Sequence, residues 1–195
     1  MRGRRSAWIM DITKTLIVAD RKDWRNWLKK HYKTEKEVWL IYDRKKTGRT
    51  RILYNDAVEE ALCFGWIDSL VKSLDGERLV QRFSPRNPNS AYSQANKERL
   101  RRMIVRGRVR KEVEAKLGDL AVEKFKIPPD ILKALKSDKQ AWANFRKFSG
   151  PYQRIRVAFI DHARNRPEEF QKRLRHFLEM TAKNKLYGFG IETYY

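Results

Sequence analysis

Apolar positions along the chain fall into blocks whose spacing alternates between about two and nearly four residues, with turn residues between them. Thr13–Val18 (TKTLIV) reads as a short strand. Asp20 stands as an N-cap before a helix over Arg21–Tyr32, where Trp24, Trp27 and Leu28 recur at i, i+3 and i+4. Glu37–Tyr42 (EVWLIY) is an apolar run bounded by charge and reads as a strand buried on both faces. Asp43–Arg51 (DRKKTGRTR) is a basic loop turning at Gly48. In Tyr54–Phe64 the residues Ala57, Val58, Ala61 and Leu62 have helical spacing, and Gly65 supplies a stop. Two alternating runs, Trp66–Leu74 and Glu77–Phe83, flank Asp75-Gly76, which predicts a hairpin. Ser84–Asn89 (SPRNPN) carries two prolines and is expected to be loop. Ser90 or Ser93 then caps a helix running to about Arg106. Gly107 interrupts it, and a second piece covers about Arg110–Leu117.

Gly118 and Pro128-Pro129 mark a boundary, which divides the chain into residues 1–118 and 119–195. Four helical segments follow: Ile131–Lys136, Asp138–Phe148, Pro151–Asn165 and Pro167–Asn184. Pro151 and Pro167 sit where a first helical turn tolerates proline. The pattern predicts an α+β fold. A small, mainly antiparallel sheet from Glu37–Tyr42 and the hairpin packs against helices, and a C-terminal helical bundle follows. The tail after Leu186 (YGFGIETYY) is aromatic, and its Tyr187, Phe189, Tyr194 and Tyr195 are candidates for an adaptor contact.

Composition narrows the functional classes. The chain has 195 residues, with 45 Lys+Arg against 24 Asp+Glu, for a formal net charge of +21. Six Trp, nine Phe and eight Tyr exclude a disordered basic tail, because such a chain can bury real apolar area. No apolar run reaches the ~18 residues of a transmembrane helix. The start MRGRRSAWIMDITKT lacks the apolar stretch of a signal peptide, and Met10 offers a second start. Both halves are basic. The densest stretch is Asn96–Lys116, where Arg99, Arg102 and Arg106 fall on one helical face opposite Leu100, Met103 and Ile104. That face is either a phosphate-contacting surface or an ordinary solvated one.

Candidate chemistry is sparse. Cys63 is the single thiol and lies inside an apolar helical pattern, so a small buried hydrophobe competes with a nucleophile. Glu59-Glu60 reads as a helical surface pair. The three His have no metal-ligand spacing, and no nucleotide-binding or common hydrolase motif is present, so neither metal nor cofactor is expected. The segment Gly65–Arg99 is richer. It places Trp66, Asp68, Arg82, Arg86, Ser90, Ser93 and Asn96 within one hairpin, one rigid loop and one helix start. A two-residue hairpin loop sets Asp68 opposite Phe83, and a three-residue loop sets it opposite Arg82. Either register is expected to bring the Asp68 carboxylate near the Arg82 guanidinium. Arg82, Arg86 and the free N–H groups of the helix start then form an anion pocket. The competing reading is a structural ion pair beside a capped helix.

The strings ALCFGWIDS, QRFSPRNPNSAYSQANKERL and EVWLIYDRKKTG resemble the YdeI/OmpD-associated, or bacteriocin-protection, family. The helical end LKALKSDKQAWANFRKFSGPYQRIRVAFIDHARNRPEEFQKRL resembles that family's C-terminal domain. The resemblance covers roughly Leu16–Lys185. Tyr92 stands where a Trp is expected between the two serines, Phe170 stands where a Thr is expected, and the Lys and Arg content is higher. The resemblance implies a cytoplasmic prokaryotic protein with an α+β part and a helical part, and it supplies no catalytic residues.

The leading expectation is a non-enzymatic binder of an anionic ligand or partner, a tolerance-associated protein. Its site is Trp66, Asp68, Arg82, Arg86, Ser90, Ser93 and Asn96, with Asp68 orienting Arg82. The alternatives are a nucleic-acid-binding protein using Arg99, Arg102 and Arg106, with Trp8, Trp66 or Tyr92 stacking on bases, and an enzyme with a pocket at Asp68/Arg82 or at Cys63.

Overall fold

The computed structural model of the chain describes residues 11–43, 51–118, 120, 124–188, 190 and 195. In chain order the elements are β1 (Thr15–Leu16), α1 (Arg21–His31), β2 (Val38–Asp43), α2 (Tyr54–Cys63), β3 (Trp66–Ser73), β4 (Arg78–Pro85), α3 (Gln94–Val105), α4 (Lys111–Glu114), α5 (Pro129–Ser137), α6 (Lys139–Phe145), α7 (Gly150–Asp161) and α8 (Pro167–Ala182). They form two compact units. One runs to Ser90 and takes back Gly107–Lys116. The other joins Ala91–Arg106 to the residues from Leu117 onward.

The first unit is built on a four-stranded sheet in the order β1-β2-β4-β3. β1 runs parallel to β2, and the other pairings are antiparallel. Val38, Trp39 and Leu40 are consecutive and buried, as a strand covered on both faces requires. Asp20 caps α1 by accepting from the Asp23 amide at 2.9 Å, and Trp24 and Leu28 form its buried stripe. The basic loop expected at Asp43–Arg51 lies mostly outside the described residues.

The hairpin departs from a simple two-residue turn. Near its base Asp68 faces Phe83, as the shorter loop predicts. A β-bulge between Asp68 and Val71 then shifts the register, so Val71 faces Gln81. The extra residue lengthens the turn, and Leu74 N–H donates to the Arg78 carbonyl at 3.0 Å. The Asp75 carboxylate organises that turn by accepting from the Glu77 and Arg78 amides at 2.9 and 2.7 Å. β4 continues through Ser84 to Pro85, so the irregular segment starts only at Arg86.

In the second unit, Ser93 caps α3 through the Asn96 amide, and α3 packs against α7. The four predicted C-terminal helices are present as α5–α8, with Asp138 and Ser149 capping α6 and α7. Ile131, Leu135, Phe145, Val157, Ile160, Ala163, Phe170 and Phe177 form their shared core. Asn144 locks the end of α8 by donating to the Thr181 and Ala182 carbonyls, both at 3.0 Å. The second helical piece expected over Arg110–Leu117 shrinks to the single turn of α4.

Phe177 is fully buried and meets Phe145 edge-on with ring centres 6.0 Å apart. Phe177→Ala is expected to cost about 3–5 kcal/mol in urea unfolding, because the cavity collapses only in part. Val105→Ala, at a side chain 89% exposed, is expected to stay within about 0.5 kcal/mol.

Candidate functional site

The pairing expected between Asp68 and Arg82 is absent, and the reason is the two-residue period of a strand. Asp68 shares a face with Phe83 and Gln81, so Arg82 projects from the opposite face. Asp68 accepts from the Tyr54 hydroxyl at 3.0 Å and from Gln81 Nε2 at 2.8 Å. Arg82 instead binds Glu37 through Nε at 2.6 Å, and its Nη1 reaches the Ser69 and Ser84 hydroxyls at 3.3 Å. Burial opposes the charge on Glu37. Hydrogen bonds from Thr13, Arg82 and Trp39 outweigh that and hold its carboxyl below the ordinary range. The orienting carboxylate for Arg82 is therefore Glu37, not Asp68.

The other expected residues are placed as follows. Trp66 is buried and donates its indole N–H to the Tyr32 carbonyl at 3.0 Å, so it offers no stacking surface. Arg86 is half-buried, with its backbone N–H bound to the Gly65 carbonyl at 2.9 Å. Ser90 is exposed, and its amide closes a turn onto Asn87. In the second unit, Asn96 accepts from Arg99 Nη1 at 3.0 Å. Arg99 is buried, which removes it from the open basic face. Arg102 lies under the Tyr195 ring, and Arg106 is exposed. Trp8 lies outside the described residues. Among the described residues no cluster of His, Cys, Asp and Glu is arranged to hold a metal, and no helix is long and apolar enough to cross a membrane.

Glu59 and Glu60 are not a surface pair: both are fully buried. Glu60 binds Arg21 at 3.0 Å, Arg25 at 2.7 Å and Arg108 at 2.8 Å, and Arg21 also reaches Glu59 and Asp56, each at 2.9 Å. Arg25 donates in addition to the Arg108 carbonyl at 2.8 Å. A signal for this was present in α2 itself. Asn55, Asp56, Glu59 and Glu60 fall on one face of the helix at i, i+1, i+4 and i+5, an acidic stripe, while Arg21 and Arg25 stand one turn apart on α1. The neighbouring Cys63 is buried. Burial and the Glu60 charge push its thiol up to about 12, so it stays protonated and inert near neutral pH.

The second unit contains a cavity of about 470 Å³ that sequence reasoning missed apart from Ser93 and Tyr92. The capped start of α3 opens into it, together with Lys97, Lys126, Arg156 and His162. Phe125 and Phe159 supply apolar wall, and Asp161 is the one carboxylate among the described residues that line it. Arg156 is 4% exposed. Its Nη1 donates to the Tyr187 carbonyl at 3.1 Å, and its guanidinium lies 4.6 Å from the Phe159 ring centre and 4.5 Å from that of Tyr187. Its buried Nε–H has no hydrogen-bond partner, and among the described residues no carboxylate pairs with it. Gly188 makes this position accessible. Its φ is +123°, and a Cβ there would fall 2.0 Å from Arg156 Nη1. The site was hard to read from sequence because α3, the 125–128 segment and α7 lie far apart along the chain.

Residues 16–116, just over half of the chain, match the family model described as domain of unknown function (DUF8412). Residues 124–184 match the model described as bacteriocin-protection, YdeI or OmpD-associated (OmdA). No curated protein and no solved structure matches the chain.

Glu60→Ala leaves three arginines facing a void and is expected to lose about 3–5 kcal/mol in denaturant unfolding. Cys63 is expected to resist a thiol-reactive disulfide reagent in the native protein at pH 8 and to react fully in denaturant. Rapid native labelling would contradict its burial.

Proposed function

We propose, for a chain that belongs to the DUF8412 family and carries an OmdA domain over residues 124–184, that it is a binding protein for an anionic ligand with an apolar or aromatic body. The observation that carries this reading is Arg156, a guanidinium withdrawn from water with no protein carboxylate to pair with it among the described residues. A buried cation in that state is costly, and an anion delivered by a ligand relieves it. The surroundings agree with that role. Lys97 and Lys126 add positive charge, the α3 N-terminus adds oriented N–H groups, and Asp161 is the only opposing charge among the described residues of the wall. Phe125 and Phe159 suit the apolar part of the ligand. In this reading capture takes place in the cytosol. It is also the physical basis of whatever protective role the description of the OmdA family denotes for this chain.

Calorimetric titration with thymidine monophosphate, which joins one phosphate to a flat ring, tests the reading. The wild type is expected to bind. Lys126→Glu is expected to weaken binding about tenfold, since a charged contact becomes a repulsion. Lys183→Glu changes the net charge equally at an exposed residue outside the cavity wall, and is expected to leave the affinity within about twofold. Equal weakening in both variants, or no binding by the wild type, would overturn the reading.

A further inference from the structure

We infer that the ligand is a single-stranded nucleic acid held across two adjoining basic cavities that share Phe125. This rests on the anion-binding reading above and extends it to a second site. A second cavity, of about 530 Å³, lies in the same unit and is lined by Arg101, Lys124, Phe125, Gly150 and Arg154. Three cations face it, and among the described residues no carboxylate is in its wall. Behind it Glu98, 2% exposed, accepts from Arg154 through both carboxylate oxygens at 2.6 and 2.7 Å and from Arg101 at 2.7 Å. One buried carboxylate thus fixes two guanidinium groups near the Lys124 ammonium. Gly150 opens the first turn of α7 into this cavity, and a Cβ at that position would press on Arg154 Nη1 at 3.0 Å.

The segment between the cavities reads Lys124-Phe125-Lys126 and has no regular secondary structure. Lys124 lines one cavity and Lys126 the other, while Phe125 lines both and packs against the helical core. An aromatic ring between two lysines, each at its own basic cavity, matches the repeat of a single strand, in which a base lies between successive phosphates. A mononucleotide occupies one cavity only. In a duplex the base faces are stacked on one another, so Phe125 and Tyr92 would have nothing to stack on. The formal charge of +21 supplies the long-range attraction for such a polyanion. A bare polyphosphate shares the charge repeat but not the rings, and the test separates the two.

The experiment is fluorescence anisotropy of a labelled oligothymidylate, with unlabelled inorganic polyphosphate as competitor and thymidine monophosphate as the single-site probe. Lys124→Glu is expected to weaken the oligomer about tenfold and to leave the monophosphate within about twofold. Its log–log salt dependence is expected to become shallower by about 0.7 for each phosphate that the variant no longer neutralises. Phe125→Leu, with folding checked by circular dichroism, is expected to weaken the oligomer and not the polyphosphate. If Lys124→Glu changes oligomer binding no more than Lys183→Glu does, the two-cavity inference fails. The single-site reading then still stands, provided Lys126→Glu weakens monophosphate binding about tenfold. If polyphosphate competes as well as the oligomer in both the wild type and Phe125→Leu, the ligand is a polyanion without bases, and the inference also fails. If Lys126→Glu leaves monophosphate binding intact, the earlier reading fails instead.

Discussion

A charge removed from water must find an opposite charge in contact, and much of this chain's architecture follows from how that demand is met. Glu60 is sealed inside the first unit, and three arginines close on it from separate places: Arg21 and Arg25 from α1, and Arg108 from the segment that returns after Gly107. The Arg25 bond to the Arg108 carbonyl ties the returning backbone to the same cluster. Replacing such a cluster with apolar residues could match its stability, but removing one member leaves an isolated buried charge. The cluster therefore constrains which pieces of chain belong together more than it adds to net stability.

Among the described residues, the second unit meets the same demand at Glu98 and leaves it open at Arg156. Glu98 is satisfied by Arg154 and Arg101 across the contact between α3 and α7. Arg156, two residues further along α7, is as buried as Glu98 but has only the Tyr187 carbonyl and two aromatic faces among the described residues. Cation–π contact and a neutral carbonyl soften its desolvation without cancelling its charge. Glycine at 188 clears the space that the guanidinium occupies.

Local rules reach far where they govern local structure. Asp20 and Ser93 cap helices as their positions announce, and the apolar run around Trp39 is the covered strand it reads as. The Gly65–Asn96 motif does mark real structure, but its side chains serve other partners. Asp68 and Arg82 part because a bulge and strand alternation decide faces one residue at a time, and no turn dipeptide encodes a bulge. Glu59-Glu60 reads as a surface pair because adjacent acids on a helix are usually solvated, and only the partners on α1 reveal otherwise. The cavity at Arg156 depends on contacts between residues more than thirty positions apart, such as Arg156 with Tyr187, and no local pattern encodes those. The family resemblance places the helical end correctly, and the match over residues 124–184 bears that out.

The central claim is that the Arg156 charge is completed by an anion the protein does not itself provide. The most direct measurement compares thermal stability in phosphate and in chloride at equal ionic strength, for the wild type and for Arg156→Met. The wild type is predicted to gain Tm with phosphate concentration as a ligand-linked equilibrium requires, and the methionine variant to show no such gain. An equal phosphate-dependent gain in both proteins would contradict the account.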